Sequence, residues 1–403
     1  MYNQKPNPYQ NFNTFLDVFS IVEWIKDYKF KDFIIKDIIA GLTVTVMQIA
    51  QGIAYGSILA AQLPQYGLIS SLFPVIIYAI FGSSNHLSVG MFAVTCLMQG
   101  QSSENLHPIN ANMTVTEIDA VYQARISDAS AVSFYVGLIL VVMSIFRAGF
   151  LVGYLSAPMM SGFIFGSACH VFTSQLKTLM TLSIERYSGP AYLVKTYIAL
   201  FKAVIALRKD TYLPVLISFG ISLGLIAVLV IFRILNENYK NKYFRGIPLP
   251  GELIVMIIGL VIFLPSKLNE SHEIPVIGKI PNGFPTPKLP NLSRTSNLIT
   301  AIPIAIVGYS VHVATGKVLA SQSAQKMKFS ANKELTALGL GNAISSFLLC
   351  ISAFSSMSRS MVQLGAGGVT QMASIVSCFL LLLVILVAGP LFYNIPKLSQ
   401  DGH

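Results

Sequence analysis

Residues 371–391 read QMASIVSCFLLLLVILVAGPL, a run that contains no charged side chain. A helix of roughly 17–25 apolar residues spans the hydrocarbon core of a bilayer, so this run predicts a membrane-spanning helix. The whole chain agrees with this prediction, because 54% of its 403 residues are hydrophobic and only 11% are charged. Soluble domains carry about 25% charged residues. The sequence therefore predicts an integral membrane protein.

Further apolar runs predict eight more spanning helices. Two shorter runs, 87–100 and about 358–365, are apolar but too short to span alone, and they begin at Gly, Ser or β-branched residues. Short, interrupted segments in two halves of a chain indicate a transporter binding site. The nine spanning helices and the two short segments together predict an all-α polytopic membrane protein with eleven passes. The eight further spans are 35–57, 66–82, 129–146, 150–176, 211–235, 249–265, 298–320 and 333–352.

The loops divide by charge. The formal net charge is +10, and the clusters of Lys and Arg within 240–245 and 326–333 fall on the same side as the N-terminal tail, which predicts a cytosolic side. The stretches 101–128 and 266–297 are predicted as loops on the opposite, extracellular side. They contain three Asn-X-Ser/Thr sequons, each a predicted glycosylation site: Asn112, Asn269 and Asn291.

One apolar segment, 191–209, has lysines at 195, 202 and 209. These positions are seven residues apart and share one helical face, so the segment predicts an amphipathic helix on the membrane surface. No basic stripe with interleaved aromatic residues is present, and nucleic acid is not an expected partner. No acid–base pair, nucleophile triad or metal-ligand cluster is apparent. The sequence therefore gives no support for an enzyme, a cofactor or a metal site.

The most informative residue is Arg359, in the run SSMSRSMVQLGAGG (355–368). An arginine among membrane spans costs at least about 2.5–3.5 kcal/mol, so it is expected to face a cavity or a partner; the alternative is an arginine that snorkels to the headgroups. A half-helix that starts at Ser358 and ends at the glycines 365–368 would direct its N–H groups into the membrane interior. With a second half-helix that starts near Phe92, this arrangement predicts a site for a monovalent or divalent anion.

Two histidines, His170 and His312, lie in apolar runs without carboxylate or cysteine companions in the sequence. They are interpreted as packing or hydrogen-bonded residues.

Long stretches of the chain resemble the sulfate permeases and anion exchangers of solute carrier family 26. The resemblance covers most of the chain from about residue 35 to 393. It is carried by residues 37–94, by LSAPMMSGFIFGSACHVFTSQLKTL (155–179), IPLPGELIVMIIG (247–259), IAIVGYSVHVATGKV (304–318), NKELTALGLGNAISSF (332–347) and SRSMVQLGAGGVTQMA (358–373).

The resemblance implies fourteen segments in two inverted repeats of seven, with a core domain, a gate domain and a following STAS domain. Only about eleven segments are predicted in this chain, and no STAS domain. The implied division is a cytosolic tail 1–34, core segments 1–4 at 35–147, gate segments 5–7 at 148–265, an extracellular loop 266–297, core segments 8–11 at 298–393 and a short tail 394–403.

The resemblance also implies the residues that line the anion site, which are Gln48, Tyr55, Phe92, Ser358 and Arg359. Several positions depart from the family pattern. Ala50 stands where a proline is usual, and this change predicts a looser break in segment 1. Leu364, Ala366 and Val369 replace polar residues that would brace segment 10, and segment 8 has no carboxylate between positions 297 and 317. That last absence favours exchange or uniport over proton-coupled symport.

The function implied is secondary active transport of small anions, by exchange of sulfate, chloride, bicarbonate or oxalate, in the plasma membrane. The alternative is a non-transporting, truncated isoform that modulates full-length partners. The expected partners are small anions and membrane lipid. A homodimer is typical of the family, whereas the missing gate segments and STAS domain argue against one here.

Overall fold

The structure is a computed structural model, and its described residues form helices and one short strand pair. The structure describes residues 19–26, 28–109, 113–150, 191–205, 209–243, 283–322 and 329–388, with isolated positions between 158 and 176 and between 254 and 258.

The elements of the first half are α1 Ser20–Lys26, α2 Phe30–Ala54, a π-helical turn Tyr55–Leu59, α3 Pro64–Ser70, α4 Phe73–Phe81, β1 Val89–Gly90, α5 Ala93–Leu106 and α6 Val115–Ile145. The remaining elements are α7 Tyr192–Ile205, α8 Lys209–Tyr243, α9 Thr295–Gln322, α10 Ala331–Ser346, β2 Phe354–Ser355, α11 Met357–Gly365, α12 Met372–Leu383 and a π-helical turn Val384–Ala388.

The predicted loop 101–128 is wrong, because α5 continues to Leu106 and α6 already begins at Val115. The cause is a capping box at the start of α6. The Glu117 N–H donates to the Thr114 hydroxyl at 3.4 Å, and the Thr114 N–H donates to the Glu117 carboxylate at 2.7 Å. Of the acidic residues in this stretch, Glu104 therefore lies on α5, and Glu117, Asp119 and Asp128 lie on α6.

Two prolines determine where helices begin in the predicted span 66–82. The predicted span 66–82 is two helices, α3 and α4, each with a proline in its first turn, Pro64 and Pro74. A proline there is compatible with a helix start and interrupts a continuous helix. The predicted span 333–352 is helical only as α10, up to Ser346.

The other predicted segments agree more closely. The half-helix predicted to start near Phe92 is confirmed, since Phe92 is the N-cap of α5. The second half-helix is α11, which ends at Gly365 as predicted. The predicted amphipathic segment 191–209 is helical over Tyr192–Ile205 (α7), with Lys195 and Lys202 exposed, and its position on the membrane surface stays a prediction. Most of the predicted spans 150–176 and 249–265 lies outside the described residues.

Five helical stretches of the described chain are long and apolar enough to cross a membrane. They are Phe30–Ser57, Pro64–Phe81, Thr116–Ile145, Val215–Phe232 and Thr295–Gln322.

Small residues set the closest helix contacts. Gly67 of α3 lies directly against the Gly52 carbonyl of α2, Gly137 of α6 against α10 near Gly339, and Gly100 of α5 against the Leu59 carbonyl. A methyl group at any of these positions would overlap backbone atoms. Glycine allows helix backbones to approach closely, as is usual for helices that pack within membranes.

Two apolar clusters fill the space between the helices. One joins α4, α6, α9, α10 and β2 around Tyr309 and Phe354. The other joins α2, α3, α4 and α12 around Leu68 and Leu381. Helices of the first half thus pack against helices of the second half, and both strands lie inside this body.

A charged cluster fixes the segment that precedes α9. Arg294 Nη1 donates to Asp128 Oδ2 at 2.8 Å, and His107 Nε2 lies 2.8 Å from the same oxygen. Asn297 Nδ2 donates to Asp128 Oδ1 at 3.1 Å. The C-terminal end of α5, the first half of α6 and the start of α9 therefore meet at one end of the molecule.

Candidate anion-binding site

The two half-helices begin at one short antiparallel strand pair. In β1 and β2, Val89 pairs with Ser355 and Gly90 with Phe354. Three residues after β1 the helix α5 begins, and two residues after β2 the helix α11 begins. Neither helix has a side-chain hydrogen bond at its N-cap. Their first-turn N–H groups are therefore available to an external acceptor, and both positive dipole ends point toward the strand pair.

Arg359 lies beneath this pair and is fully buried. Its Nε–H donates to the Ser88 hydroxyl at 3.0 Å, and Nη2 donates to the Ser88 carbonyl at 3.1 Å. Nη1 donates to the Met91 carbonyl at 3.2 Å and to Gln51 Oε1 at 2.5 Å. These contacts account for four of the five guanidinium N–H groups. The side chain is thus held rigidly against β1 and α2.

Arg359 has no ion-pair partner among the residues that the structure describes. Within the described part of the chain, the ion pairs join His107 and Arg294 to Asp128, and His312 to Glu334. All acceptors of Arg359 are neutral oxygens. A buried cation that lacks a counter-ion produces a strong positive potential, because the dielectric of the interior is low. An anion between the two helix ends would meet this potential.

Gln51 is a site residue that the sequence analysis missed. Its Oε1 accepts from Arg359, so its amide NH₂ is turned away from the guanidinium and is left as a donor. The side chain is half-buried, unlike that of Gln48. The available signal was the run QIAQG (48–52), in which both glutamines occur.

Gln48 lies on α2 but is fully buried. Its Nε2 donates to the Val89 carbonyl at 3.5 Å, and the Ser377 hydroxyl donates to its Oε1 at 3.1 Å. The structure therefore places Gln48 as a link between α2, β1 and α12, behind the strand pair.

Tyr55, Phe92 and Ser358 are brought to the same region. Tyr55 begins the π-helical turn after α2, is half-buried and packs in the apolar cluster that contains Met91. Phe92 is half-buried at the start of α5, and Ser358 is exposed in the first turn of α11, with its hydroxyl 3.2 Å from that of Ser356. π-Helical turns occur frequently at functional sites.

Ala50 lies inside the continuous helix α2. The regular helix of segment 1 is interrupted at the π-helical turn, which starts at Tyr55. A proline at position 50 would interrupt the helix five residues earlier.

The segment between α11 and α12 is braced by Asp37 of α2. One carboxylate oxygen accepts the N–H groups of Val369 and Thr370 at 2.7 and 3.1 Å. The other accepts the Thr370 hydroxyl at 2.6 Å. The apolar residues Leu364, Ala366 and Val369 predicted that this segment is weakly braced. In the structure, backbone N–H groups provide the bracing instead.

His312 has a carboxylate companion, contrary to the sequence interpretation. Its Nε2 lies 2.7 Å from Glu334 Oε2, and both side chains are fully buried. The partner comes from α10, the next described helix after α9, so a search along the local sequence could not find it. The interpretation of His312 as a hydrogen-bonded residue is confirmed. His170 lies outside the described residues.

Of the three predicted glycosylation sites, only Asn291 lies within the described residues. It is exposed, and its Oδ1 accepts the N–H of Ser293 at 3.1 Å.

Comparison with known proteins agrees with this arrangement. Prestin of Danio rerio is 37% identical over 384 residues, which cover 93% of this chain and 50% of that protein. Solute carrier family 26 member 6 of Homo sapiens is 36% identical over 378 residues, 94% of this chain and 48% of that protein. The chain therefore spans about half the length of these relatives.

The mouse solute carrier 26 family member A9 anion transporter, solved in its inward-facing state, has a similar fold. The TM-score is 0.86 at 29% identity, over 98% of this chain and 64% of that one. The predicted fold class, a helical membrane protein of the inverted-repeat anion-transporter type, is confirmed. The family model described as "Sulfate permease family" matches residues 34–399. The chain therefore belongs to the sulfate permease family and is an integral membrane protein with multiple spans.

Proposed function

We propose that this chain transports small anions, by exchange of sulfate, chloride, bicarbonate or oxalate across the plasma membrane. The observation that carries the proposal is the buried guanidinium of Arg359, which forms no ion pair within the described ranges and lies beneath two helix N-termini without side-chain caps.

The proposed anion lies between the starts of α5 and α11. It accepts hydrogen bonds from first-turn N–H groups, from the Ser358 hydroxyl and from the Gln51 amide. Arg359 acts mainly through its charge, because four of its N–H groups already have protein acceptors. Neutral donors and a fixed charge bind an anion without trapping it in an ion pair, and transport requires both entry and release.

We also propose the two-domain division implied by the family. The core is 35–147 with 298–393, and the gate is 148–265. The packing of α2 against α12 and of α6 against α10 supports a single core body. The long helix α8, in the proposed gate, is largely exposed. We expect non-enzymatic function, glycosylation at Asn112, Asn269 and Asn291, and a homodimer only where a complete gate is present.

The test is labelled-sulfate and labelled-chloride flux by proteoliposomes that contain the purified chain. We expect Arg359→Ala to abolish saturable flux, since it removes the charge of the site. Arg147→Ala is the matched control, because Arg147 is exposed at the end of α6 and has no contact with the strand pair. This control should leave flux unchanged. Saturable flux in Arg359→Ala, with reconstitution equal to that of the parent chain, would contradict the proposal.

A further inference from the structure

A second buried charged pair lies in the same helical body. Glu334, in the first turn of α10, and His312, on α9, have no exposed surface. The distance from His312 Nε2 to Glu334 Oε2 is 2.7 Å. The proposed anion site uses neither residue.

The neighbours of Glu334 fix its ionisation state. Its Oε2 accepts the Tyr78 hydroxyl at 2.8 Å and faces His312 Nε2. Its Oε1 accepts the Ser83 N–H at 2.9 Å and the Ser83 hydroxyl at 2.6 Å. Four donors fill the acceptor positions of an ionised carboxylate and leave no place for a proton on it. Glu334 is therefore an anion.

The proton that this cluster can gain or lose is then on His312. Nε2–H is required as the donor to Glu334, so the second proton binds Nδ1. This atom is buried and has no hydrogen-bond partner among the described residues. With Nδ1 bare the pair carries one negative charge, and with Nδ1 protonated it is neutral. Protonation of His312 therefore removes the net charge of the pair.

The other groups that face the pair are phenols. Tyr78 of α4 donates to Glu334 at 2.8 Å, and Tyr309 of α9 donates to the Ala331 carbonyl at the start of α10 at 2.8 Å. In the described chain, α6, β1 and α11 bring no ionisable side chain into hydrogen-bond contact with the pair. Lys333, next to Glu334 on α10, and Lys317, exposed on α9, are the nearest cations along these helices.

Packing connects this pair to the anion site. Gly308 lies one turn before His312 on α9 and is in contact with the ring of Phe354. Phe354 pairs with Gly90 in the strand pair. A Cβ at Gly90 would lie 3.1 Å from Nη2 of Arg359. A continuous series of packed residues therefore joins the His312–Glu334 pair to Arg359 and the proposed anion site.

We propose that His312 and Glu334 form a proton-binding site whose occupancy raises the affinity of the chain for its anion. The inference rests on the proposed anion transport. Deprotonation of His312 leaves an uncompensated negative charge in a low-dielectric interior, and that charge repels a bound anion. Because linkage is reciprocal, anion binding in turn favours protonation of His312.

The proposed route for protons to the site passes Ser83. This residue is half-buried, donates to Glu334 and accepts the N–H of Ser330 at the start of α10. Both serines lie at the end of the molecule that is predicted to be cytosolic.

The test measures the KM for sulfate and for chloride in proteoliposomes with equal pH on both faces, at about pH 6 and about pH 9, a window that brackets histidine titration. Neither anion titrates there. For the parent chain we expect KM to rise severalfold at the higher pH. His312→Gln fixes the negative charge and should give a high KM at both pH values. His312→Gln with Glu334→Gln removes both charges and should give a low KM at both.

His107→Gln is the matched control, because His107 also faces a carboxylate but lies at the opposite end of the helical body. It should keep the parental pH profile. A parental profile in His312→Gln, or a double variant that behaves like the single one, would overturn the inference. Absence of saturable flux in the parent chain at both pH values would instead overturn the proposed function.

Discussion

At the scale of single residues, Gln48 and Gln51 lie three positions apart on α2 and have different environments. Gln48 is fully buried between the Val89 carbonyl and Ser377, whereas Gln51 is half-buried and contacts Arg359. The first glutamine therefore stabilises the packing of α2, and the second presents an amide to the proposed anion.

This difference predicts opposite phenotypes. Gln51→Leu should raise the KM for sulfate about ten- to a hundredfold, since losing one hydrogen bond to a charged group costs about 1.5–3 kcal/mol. Gln48→Leu should instead lower the thermal midpoint of the purified chain and leave KM near the parental value. Flux assays and thermal unfolding in detergent on both variants separate the two roles, and equal changes of KM in both would contradict the assignment.

The sequence predicted the identity of the central residues for a physical reason. An arginine and several serines inside an apolar run are costly unless they serve a site, so Arg359 and Ser358 could be found from composition alone. Which of two glutamines contacts Arg359 depends on the rotation of α2 about its axis, and the hydropathy pattern does not encode that rotation. The Arg359 contacts to Ser88 and Met91 join residues far apart in the chain and were not predictable.

At the scale of elements, α2 is tied to the segment between α11 and α12 by the carboxylate of Asp37. It accepts three hydrogen bonds, from the backbone of Val369 and Thr370 and from the Thr370 hydroxyl.

Removal of that acceptor should destabilise the fold. Asp37→Ala leaves buried donors unsatisfied, and each such group costs about 1–3 kcal/mol. We expect a clear drop in the thermal midpoint of the purified chain. Asp32→Ala, an exposed carboxylate in the first turn of the same helix, is the control and should change the midpoint little. Equal midpoints for the two variants would show that Asp37 does not brace the segment between α11 and α12.

Close packing at Gly100 gives a second prediction for the elements. A methyl group there would overlap the Leu59 carbonyl, so Gly100→Ala should displace α5 and reduce both stability and flux. Gly341→Ala on α10 is the matched control, because its nearest neighbour, the Pro74 carbonyl, would lie at an ordinary contact distance of 3.6 Å. Alanine there should be neutral or slightly stabilising, by about 0.4–1 kcal/mol. Unaltered flux and stability in Gly100→Ala would contradict the packing argument.

The hydrophobic runs predicted that most of the helices exist, but they predicted the first and last residues of those helices less well. The half-helix starts at Phe92 and near Ser358 were accessible because small and polar residues interrupt an apolar run there. The start of α6 was misplaced because its first turns are polar and resemble a loop. The capping box at Thr114 and Glu117 was the overlooked local signal.

At the scale of the whole molecule, one end contains His107, Asp128 and the segment with Asn291, and the other contains Ser83 and Ser330. The eleven-pass count places the first end outside the cell. The charge pattern of the loops is the basis for this orientation.

Orientation can be tested with the exposed sequon at Asn291. If its end is extracellular, the chain synthesised with microsomes should gain glycosidase-sensitive mass that Asn291→Gln reduces by one glycan. Ser293→Ala should give the same reduction, since it destroys the sequon while keeping the asparagine. If the parent chain carries no glycan at Asn291, the predicted extracellular side is contradicted.

The central claim is that an anion binds between the N-termini of α5 and α11, held by the charge of Arg359. The most direct measurement is an anomalous-scattering map of the purified chain with selenate, a sulfate analogue. We predict one strong peak between the first turns of these helices, within hydrogen-bond distance of Ser358, and its loss in Arg359→Gln. A peak elsewhere in the core, or one that persists in Arg359→Gln, would contradict the account.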